Sequence, residues 1–506
     1  MAVKTYQDLL EVGERKDERM EFVKAAIKAH KASPLYRLAV IAYEYAIQQS
    51  PTMINFQKFL HKVTGEIVPD TWSANYKLCS NIFDRLITQL VQFELGNGVT
   101  WGKPTREISA KRDDPDCFSE EVWDEEQEAY VEKWFLAGTD RKVGLDFDQR
   151  LQEIFYEAIA CGTSFGFWNL DHVEMFTLRE FVPMYDEENG ALMAGIRFWQ
   201  VADNKPLRAT LYEPDGYTDY MWKNSEGSII ADKRAYKMVE KSAPIDPTKT
   251  YDGENYEGFP IIPAWGNKNK ISALVGLREN IDCFDLIKSG FANTVDDASV
   301  IYWILQNADG MDEIDLAKFQ DVLRRTHTAM TDSEGATAEA RTLDVPYQSR
   351  EALLQMLRSD IYEDFMALDT KNISNGATTA TQIQAAYDPM NSKADKLEYC
   401  ILDFIQKLLK IAGLTDRATF TRSVVVNKAE EVNVLMQGAA ELSDEYVTKK
   451  LLTILGDADM YDTVMRQKEQ EEMERIEINS REEEAEESGE TGWTEGTEKQ
   501  NNSSES

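Results

Sequence analysis

The residues of this 506-residue chain that come nearest to a chemical motif are Gly96, Gly98, Gly102 and Lys103, spaced somewhat like a phosphate-binding loop. Such a loop cradles phosphates on backbone N–H groups and needs a hydroxyl residue after its lysine to hold magnesium. Here Asn97 stands where the first glycine belongs, and Pro104 replaces the hydroxyl residue. The stretch also follows a helical pattern, whereas the functional motif follows a strand. It reads as a helix-ending loop, because glycine and asparagine tolerate the left-handed conformation of a C-terminal cap.

The other reactive side chains do not gather by spacing. His30, His61, His172 and His327 stand far apart and none has metal-ligand spacing, which argues against zinc or histidine-based catalysis. Acidic pairs such as Asp113-Asp114 and Asp296-Asp297 could bind a divalent ion, but read more readily as solvated charge on a loop or helix end. The five cysteines (Cys79, Cys117, Cys161, Cys283, Cys400) include no CxxC pair, so neither a disulfide framework nor a zinc ribbon is expected, and the compartment is expected to be reducing. No GxSxG, HExxH or GxGxxG occurs, and Gly162 to Gly166 reads as a tight entry into a strand. No catalytic residue, metal ligand or cofactor is assigned. A metal-dependent nuclease using scattered carboxylates finds no supporting spacing.

The chemistry left is non-covalent. The 90 acidic and 55 basic side chains leave a formal charge of −35, which disfavours the sequence-independent phosphate attraction of most nucleic-acid binders. The 42% apolar content can supply cores. No window approaches the ~18 uninterrupted apolar residues of a membrane span, so no membrane partner is expected.

Periodicity places the elements. Residues 1–57 are charged and helical in character, and Asn75 to Leu95 reads as a buried helix, with Leu78, Ile82, Leu86 and Leu90 in one row and Phe83, Ile87 and Val91 in a second. An acidic, loop-rich passage is expected to about Glu126, then a helix from about Asp148 to Cys161. The runs SFGFWNL, VEMFTL, LMAGIRFWQV, LRATLYEP and YTDYMW alternate as strands of an antiparallel meander lasting to about Tyr256. Their aromatics read as sheet core rather than a base-stacking platform, since no basic residues interleave them.

Beyond Pro260 and Pro263, Leu274, Leu277, Ile281, Phe284, Ile287 and Phe291 mark a helix of about 25 residues, or ~37 Å. A compact insert follows, with a strand at Val300 to Gln306, a helix near Ile314 to Arg325 and a strand around Arg341 to Val345. Pro346 closes it and Ser349 is expected to cap the next helix. There Leu353, Leu354, Leu357, Ile361, Phe365 and Leu368 form a one-sided stripe suited to an antiparallel partner of the first helix. The segment KNISNGATTA (Lys371 to Ala380) reads as a mobile polar loop. The following helix, about Thr381 to Ala412, contains Pro389, where a bend is expected. A strand ATFTRSVVV and helices Ala429 to Ala440 and Ser443 to Leu455 follow, the last capped by Ser443. From about Arg466 the chain is acidic and is expected to fray into disorder. The fold class is α+β, mainly helical.

The order of these parts resembles the portal proteins of tailed bacteriophages. The resemblance is carried by Asn75 to Val99, AIACGTSFGFWNLD (Ala158 to Asp171), YEPDGYTDYMW (Tyr212 to Trp222), Phe259 to Ser299, SNGATTATQIQ (Ser374 to Gln384) and AAELSDEYVTKKL (Ala439 to Leu451). No one segment is diagnostic; their order and spacing carry it. The resemblance implies a portal fold assembling as a cyclic ring, usually a dodecamer. It divides the chain into a wing (1–270), a first stem helix (271–299), a clip (300–348) and a second stem helix (349–370). A tunnel loop (371–380), a bent helix returning to the wing (381–428), crown helices (429–465) and an acidic tail (466–506) follow. It further implies double-stranded DNA passing through the channel, docking of terminase and of head-tail adaptor or neck proteins, and contact with major capsid and scaffolding proteins. The implied place is the virion's capsid vertex, reached from the host cytoplasm. On this reading Lys371, Asn372, Ser374, Asn375, Thr378 and Thr379 face DNA, exchanging weak hydrogen bonds with phosphates and one screened attraction per subunit. Arg324 and Arg325 in the clip would meet acidic partner surfaces. The competing reading is a capsid scaffold or adaptor without a channel.

Overall fold

The computed structural model describes residues 3–61, 66–70, 73–124, 129–223, 226–238, 253–298, 302–306, 337–341, 347–369, 380–423, 432, 435–456, 460–461, 463–468, 470 and 473. Helix outweighs strand, 47% to 23%, as the α+β reading expects. The chain divides into two compact units, one of residues 1–377 with 384–423 and one of residues 378–383 with 424–506.

In the first unit the expected meander forms two sheets. Phe181–Tyr185, Leu192–Trp199, Leu207–Glu213, Gly216–Lys223 and Glu226–Arg234 pair in sequence order, each antiparallel to the next. Along Gly216–Lys223 the burial alternates residue by residue, the signature of a sheet packed on one face. That face carries Val182, Met184, Ile196, Leu211 and Tyr220, and the N-terminal helices Tyr6–Val12 and Lys16–Lys31 cover it with Leu9, Phe22, Val23 and Ile27. Arg19 is buried there and forks onto Glu213, with Nη1 to Oε2 at 3.0 Å.

The second sheet joins Thr163–Asn169 to His172–Thr177 on one side and to the distant Ile261–Trp265 on the other. The aromatics are core, as expected: Phe165, Phe176 and Phe181 are fully buried, and the Phe181 ring meets both of the others. Helix Phe147–Cys161 lies against this sheet, and Phe404 from helix Ala380–Ala412 reaches both, meeting Phe155 edge to face at 5.8 Å. Gly166 makes room for it, since a Cβ there would sit 2.5 Å from Phe404 Cζ.

Three expectations are corrected. Helix Ile82–Leu95 starts seven residues later than periodicity suggests, and Leu78 lies in extended chain outside it. The passage read as an acidic loop contains a three-stranded antiparallel sheet of Arg106–Ile108, Ala129–Leu136 and Cys117–Asp124. Its glutamates mask the alternation because no face of it is packed away. Finally, Ser349 lies inside helix Tyr347–Phe365 and does not cap it.

The glycine-rich decoy resolves as structure. Gly98, not Gly96, is left-handed (φ +74°), and a Cβ on it would strike Asp148. Asp148 accepts from Val99 N at 3.2 Å, Asp416 accepts from Lys103 N at 3.0 Å, and Lys103 Nζ donates to Thr415 O. Carboxylates occupy the backbone donors a phosphate would need.

In the second unit, helix Asp444–Leu455 has Ser443 as its cap, Oγ accepting from Tyr446 N, as the sequence suggests. Of the expected helix Ala429–Ala440, residues 432 and 435–438 are α-helical and Ala439–Glu441 forms a 3-10 turn, the rest lying outside the described residues.

Candidate functional site

The candidate site is the hairpin of helices Arg278–Ala298 and Tyr347–Phe365 and the segments that hold it. Asn280 Nδ2 donates to Asp364 Oδ2 at 3.0 Å and Arg350 Nη1 to Thr294 Oγ1 at 2.9 Å. Residues 280 to 294 thus run against residues 350 to 364. The helices are antiparallel, as their stripes suggest. Past their far end, strands Tyr302–Gln306 and Thr337–Arg341 pair antiparallel, with Tyr302 opposite Arg341. The ribbon continues the offset of the helices to within one residue.

The buried face of the first helix is not the expected one. It starts at Arg278, and its inner row is Ile281, Asp285, Ser289 and Asn293, each at most 3% exposed, while Phe284, Ile287 and Phe291 are half-buried. The polar members of that row hold a neighbouring extended segment by its backbone. Tyr76 N donates to Asn293 Oδ1 at 2.7 Å, Leu78 N to Ser289 Oγ at 3.0 Å, and Ser80 N to both oxygens of Asp285 at 3.0 and 3.1 Å. Two residues of strand advance ~6.6 Å and four of helix ~6.0 Å, so alternate amides meet every fourth side chain. This pairing keeps residues 75–81 out of the helix periodicity assigned them: their donors bond to another element. One turn away Asp282 accepts from Tyr45 Oη at 2.5 Å and Thr52 Oγ1 at 2.9 Å. Burial pushes the Asp285 carboxyl up, against the pull of the Ser80 bonds.

The second helix ends in a tight clamp. Met366 is left-handed (φ +63°), with Met366 N donating to Glu363 O and Ala367 N to Tyr362 O, both at 2.9 Å. This is a Schellman turn on a residue with a side chain, where glycine is usual. Lys393, from helix Ala380–Ala412, donates to a further carbonyl of that turn, Phe365 O, at 2.5 Å while lying over the Phe365 ring. Burial lowers the Lys393 amine to about 7, with Lys396 adding to the effect. Arg358 grips Asp369 through Nε and Nη2 at 3.3 and 2.9 Å, and Gln89 Nε2 holds Leu368 O at 3.0 Å. Helix Ala380–Ala412 continues on both sides of Pro389.

A second charged knot ties the return of the chain. Arg422 donates to Glu94 at 2.9 Å, Asp395 at 2.6 Å and Glu398 at 2.9 Å. Glu94 is fully buried, and desolvation raises it to about 7 although Arg422 pulls it down.

The two hairpin helices carry nine acidic residues against four basic ones, and three of the four bases are engaged: Arg278 with Asp282, Arg350 with Thr294, Arg358 with Asp369. Among the described residues no group of three or more His, Cys, Asp and Glu could hold a metal ion, and no helix is long and apolar enough to cross a membrane. Lys371, Asn372, Ser374, Asn375, Thr378 and Thr379, and Arg324 and Arg325, lie outside the described residues. Sequence reasoning missed the row Asp285, Ser289, Asn293 and the clamp of Met366, Arg358 and Lys393. The four-residue spacing of the former was visible, but its extended partner was not.

A sequence profile of the family described as phage portal protein, SPP1 Gp6-like, matches residues 70–486. The portal protein of Clostridium phage phiCD119 is 30% identical over 193 residues, 35% of this chain and 42% of that protein. The portal protein of Bacillus phage SPP1 is 23% identical over 283 residues, 52% of this chain and 54% of that protein. The chain thus spans about half the length of the curated relatives it matches. Among solved structures, the neck of an empty gene transfer agent particle, computed with C6 symmetry, is 12% identical, with a TM-score of 0.35 over 62% of this chain and 80% of that one.

Proposed function

The chain belongs to the phage portal protein family, SPP1 Gp6-like, and we propose from that premise that its copies form a cyclic ring at the capsid vertex through which double-stranded DNA is packaged and ejected. The observation that carries this reading is the antiparallel helix pair continued in offset by a β ribbon. It suits a stem leading to a clip. On this reading residues 1–270 form the wing, the two helices the stem, and 300–348 the clip that meets terminase and neck proteins, with Arg324 and Arg325 in it. Residues 371–380 form the tunnel loop, 381–428 the return to the wing, 429–465 the crown and 466–506 an acidic tail. Twelve copies make the ring, a heterologous interface that closes, and the ring contacts major capsid and scaffolding proteins.

The physical role is to conduct DNA without holding it. Excess carboxylate on the stem denies phosphates the multivalent contacts that bring tight binding, and a polar loop offers only short-lived hydrogen bonds. No covalent step falls to this chain; an ATPase subunit of the terminase would drive translocation. Electron microscopy of the purified protein tests the ring: top views with a central hole are expected, and particles without one overturn the reading in favour of a scaffold or adaptor. In a reconstituted packaging motor, reversing the charge of Glu351 and Glu363 is expected to slow DNA passage. Deleting Asn375 to Thr379 is expected to impair packaging, whereas normal packaging would make that loop a plain connector.

A further inference from the structure

The two faces of the sheet Arg106–Ile108, Cys117–Asp124 and Ala129–Leu136 carry the same kinds of side chain and treat them differently. None of the sheet's described side chains is buried, although a small sheet normally owes its stability to a packed face. On one face Phe118 stacks on Phe135 at 5.6 Å, and Glu120 stands directly opposite Lys133. The Arg141 guanidinium, from the short helix Thr139–Lys142, lies 3.8 Å from the centre of the Phe118 ring and donates to Glu120 at 2.6 Å, while Lys133 reaches Glu107 at 3.6 Å. That face brings its own cations, one of them resting on a ring and held by a carboxylate.

On the other face Trp123 and Tyr130, directly opposite in register, meet edge to face at 5.2 Å and are 51% and 69% exposed. Next along the strands Glu121 stands directly opposite Glu132, both exposed. Paired positions put their Cβ atoms about 5 Å apart, where like charges repel and lower the stability of the sheet. Beyond them comes Trp134, with the Lys111 ammonium over its ring at 5.3 Å. Among the described residues the ion pairs about this sheet, Lys133 with Glu107, Arg141 with Glu120 and Lys142 with Asp116, all leave Glu121 and Glu132 out. The first face shows what the second lacks.

We propose that the face of Glu121, Trp123, Tyr130 and Glu132 docks an arginine-bearing segment of a basic partner protein. The partner's guanidinium sits between the two carboxylates and against the Trp123 ring, as Arg141 sits between Glu120 and Phe118. Arginine suits this place better than lysine, because a planar guanidinium can stack on a ring while its N–H groups fork onto carboxylate oxygens. A second copy of this chain is the poorer occupant, since each copy brings a formal charge of −35 and two repel. Nucleic acid is disfavoured by the same sign. The repulsion between the glutamates, a standing cost to the free chain, is relieved when the cation enters. The inference goes beyond the ring reading and does not rest on it, because the whole face lies within one chain.

The test uses the full-length chain and, as probe, a blocked, fluorophore-labelled hexapeptide of alternating arginine and valine, with its uncharged citrulline counterpart as control. Saturable binding of the arginine peptide, and none of the citrulline peptide, is expected at physiological salt. Any basic peptide is drawn to so acidic a chain, so the deciding comparison is between two variants of equal charge. Glu121→Gln with Glu132→Gln is expected to weaken the peptide about tenfold or more. Glu11→Gln with Glu21→Gln, two exposed acids on helices Tyr6–Val12 and Lys16–Lys31, is expected to leave its affinity unchanged. Trp123→Ala is expected to weaken it about threefold. The first variant is also expected to unfold at the same or a higher urea concentration, because it relieves the repulsion, so that lost binding is not lost fold. Equal weakening in both glutamine pairs, or none in either, leaves only non-specific attraction and overturns the docking. A parent chain that binds neither peptide overturns it too, as does a Glu121→Gln, Glu132→Gln protein in which self-association changes and peptide binding does not.

Discussion

The sheet Phe181–Arg234 and the helix Arg278–Ala298 each bury one face, in opposite materials. The sheet's inner face is Val182, Met184, Ile196 and Leu211 against apolar helix residues, where stability comes from area removed from water and is indifferent to direction. The helix's inner row is Asp285, Ser289 and Asn293, where each side chain accepts from one backbone amide. Such contacts yield little net energy when made but cost much when broken. The sheet is held by quantity, and the segment 76–80 is held on its helix by register. A part meant to keep a defined line along its length benefits from the second kind of contact, because sliding by one residue loses every bond at once.

The contrast can be broken in order of effect. Leu211→Ala is expected to destabilise by about 3 kcal/mol, the cost of a cavity in a dry core, read as a shifted urea midpoint. Asp285→Ala is expected to cost about 2 kcal/mol by stripping the Ser80 amide of both acceptors, with Asp285→Asn costing less because it keeps one. Hydrogen exchange at Ser80 separates the two regions, speeding in Asp285→Ala and unchanged in Leu211→Ala. A stable Asp285→Leu protein would remove the distinction, making the row a tolerated polar surface.

Next come two slopes of opposite sign, on the order of 1 kcal/mol per pH unit. Glu94 is raised to about 7 from an ordinary 4.5, so the folded state holds its proton more tightly. Its contribution is greatest below pH 4.5 and is lost as pH rises to 7. Lys393 is lowered to about 7 from 10.5, so the unfolded state binds its proton more tightly, and stability rises between pH 7 and 10.5. Glu94→Gln is expected to flatten the first window and Lys393→Met the second, followed by urea titrations across pH. The smallest effect is Ser289→Ala, about 0.5–1 kcal/mol, because the half-exposed Leu78 amide can turn to water.

What the sequence made legible follows the same division. Alternation in YTDYMW and its neighbours exposed the sheet, because an apolar partner leaves a period whatever its identity. The helical stripes gave the antiparallel hairpin, since Ile281 and Ile361 lie where the pattern puts them, fully buried. The onset of helix Ile82–Leu95 was hidden because Leu78 continues its four-residue row by coincidence, while the competing acceptors lie about two hundred residues away. The clamp was hidden for another reason: Met366 is not a residue whose type announces a left-handed turn, and only Lys393 and Arg358 in space explain it. The edge sheet Arg106–Leu136 escaped because its charged strands lack a packed side.

The ladder between residues 76–80 and the helix has a further consequence. Its two repeats, ~6.6 Å and ~6.0 Å, differ by about 0.6 Å per rung. Like the scales of a vernier, they coincide closely only over a short stretch, and a fourth rung would sit almost 2 Å out of line. The helix agrees: one step before Asp285 the row presents Ile281, which accepts nothing. The mismatch sets the length of the grip and its position, so that the extended segment can seat on the helix at one place only.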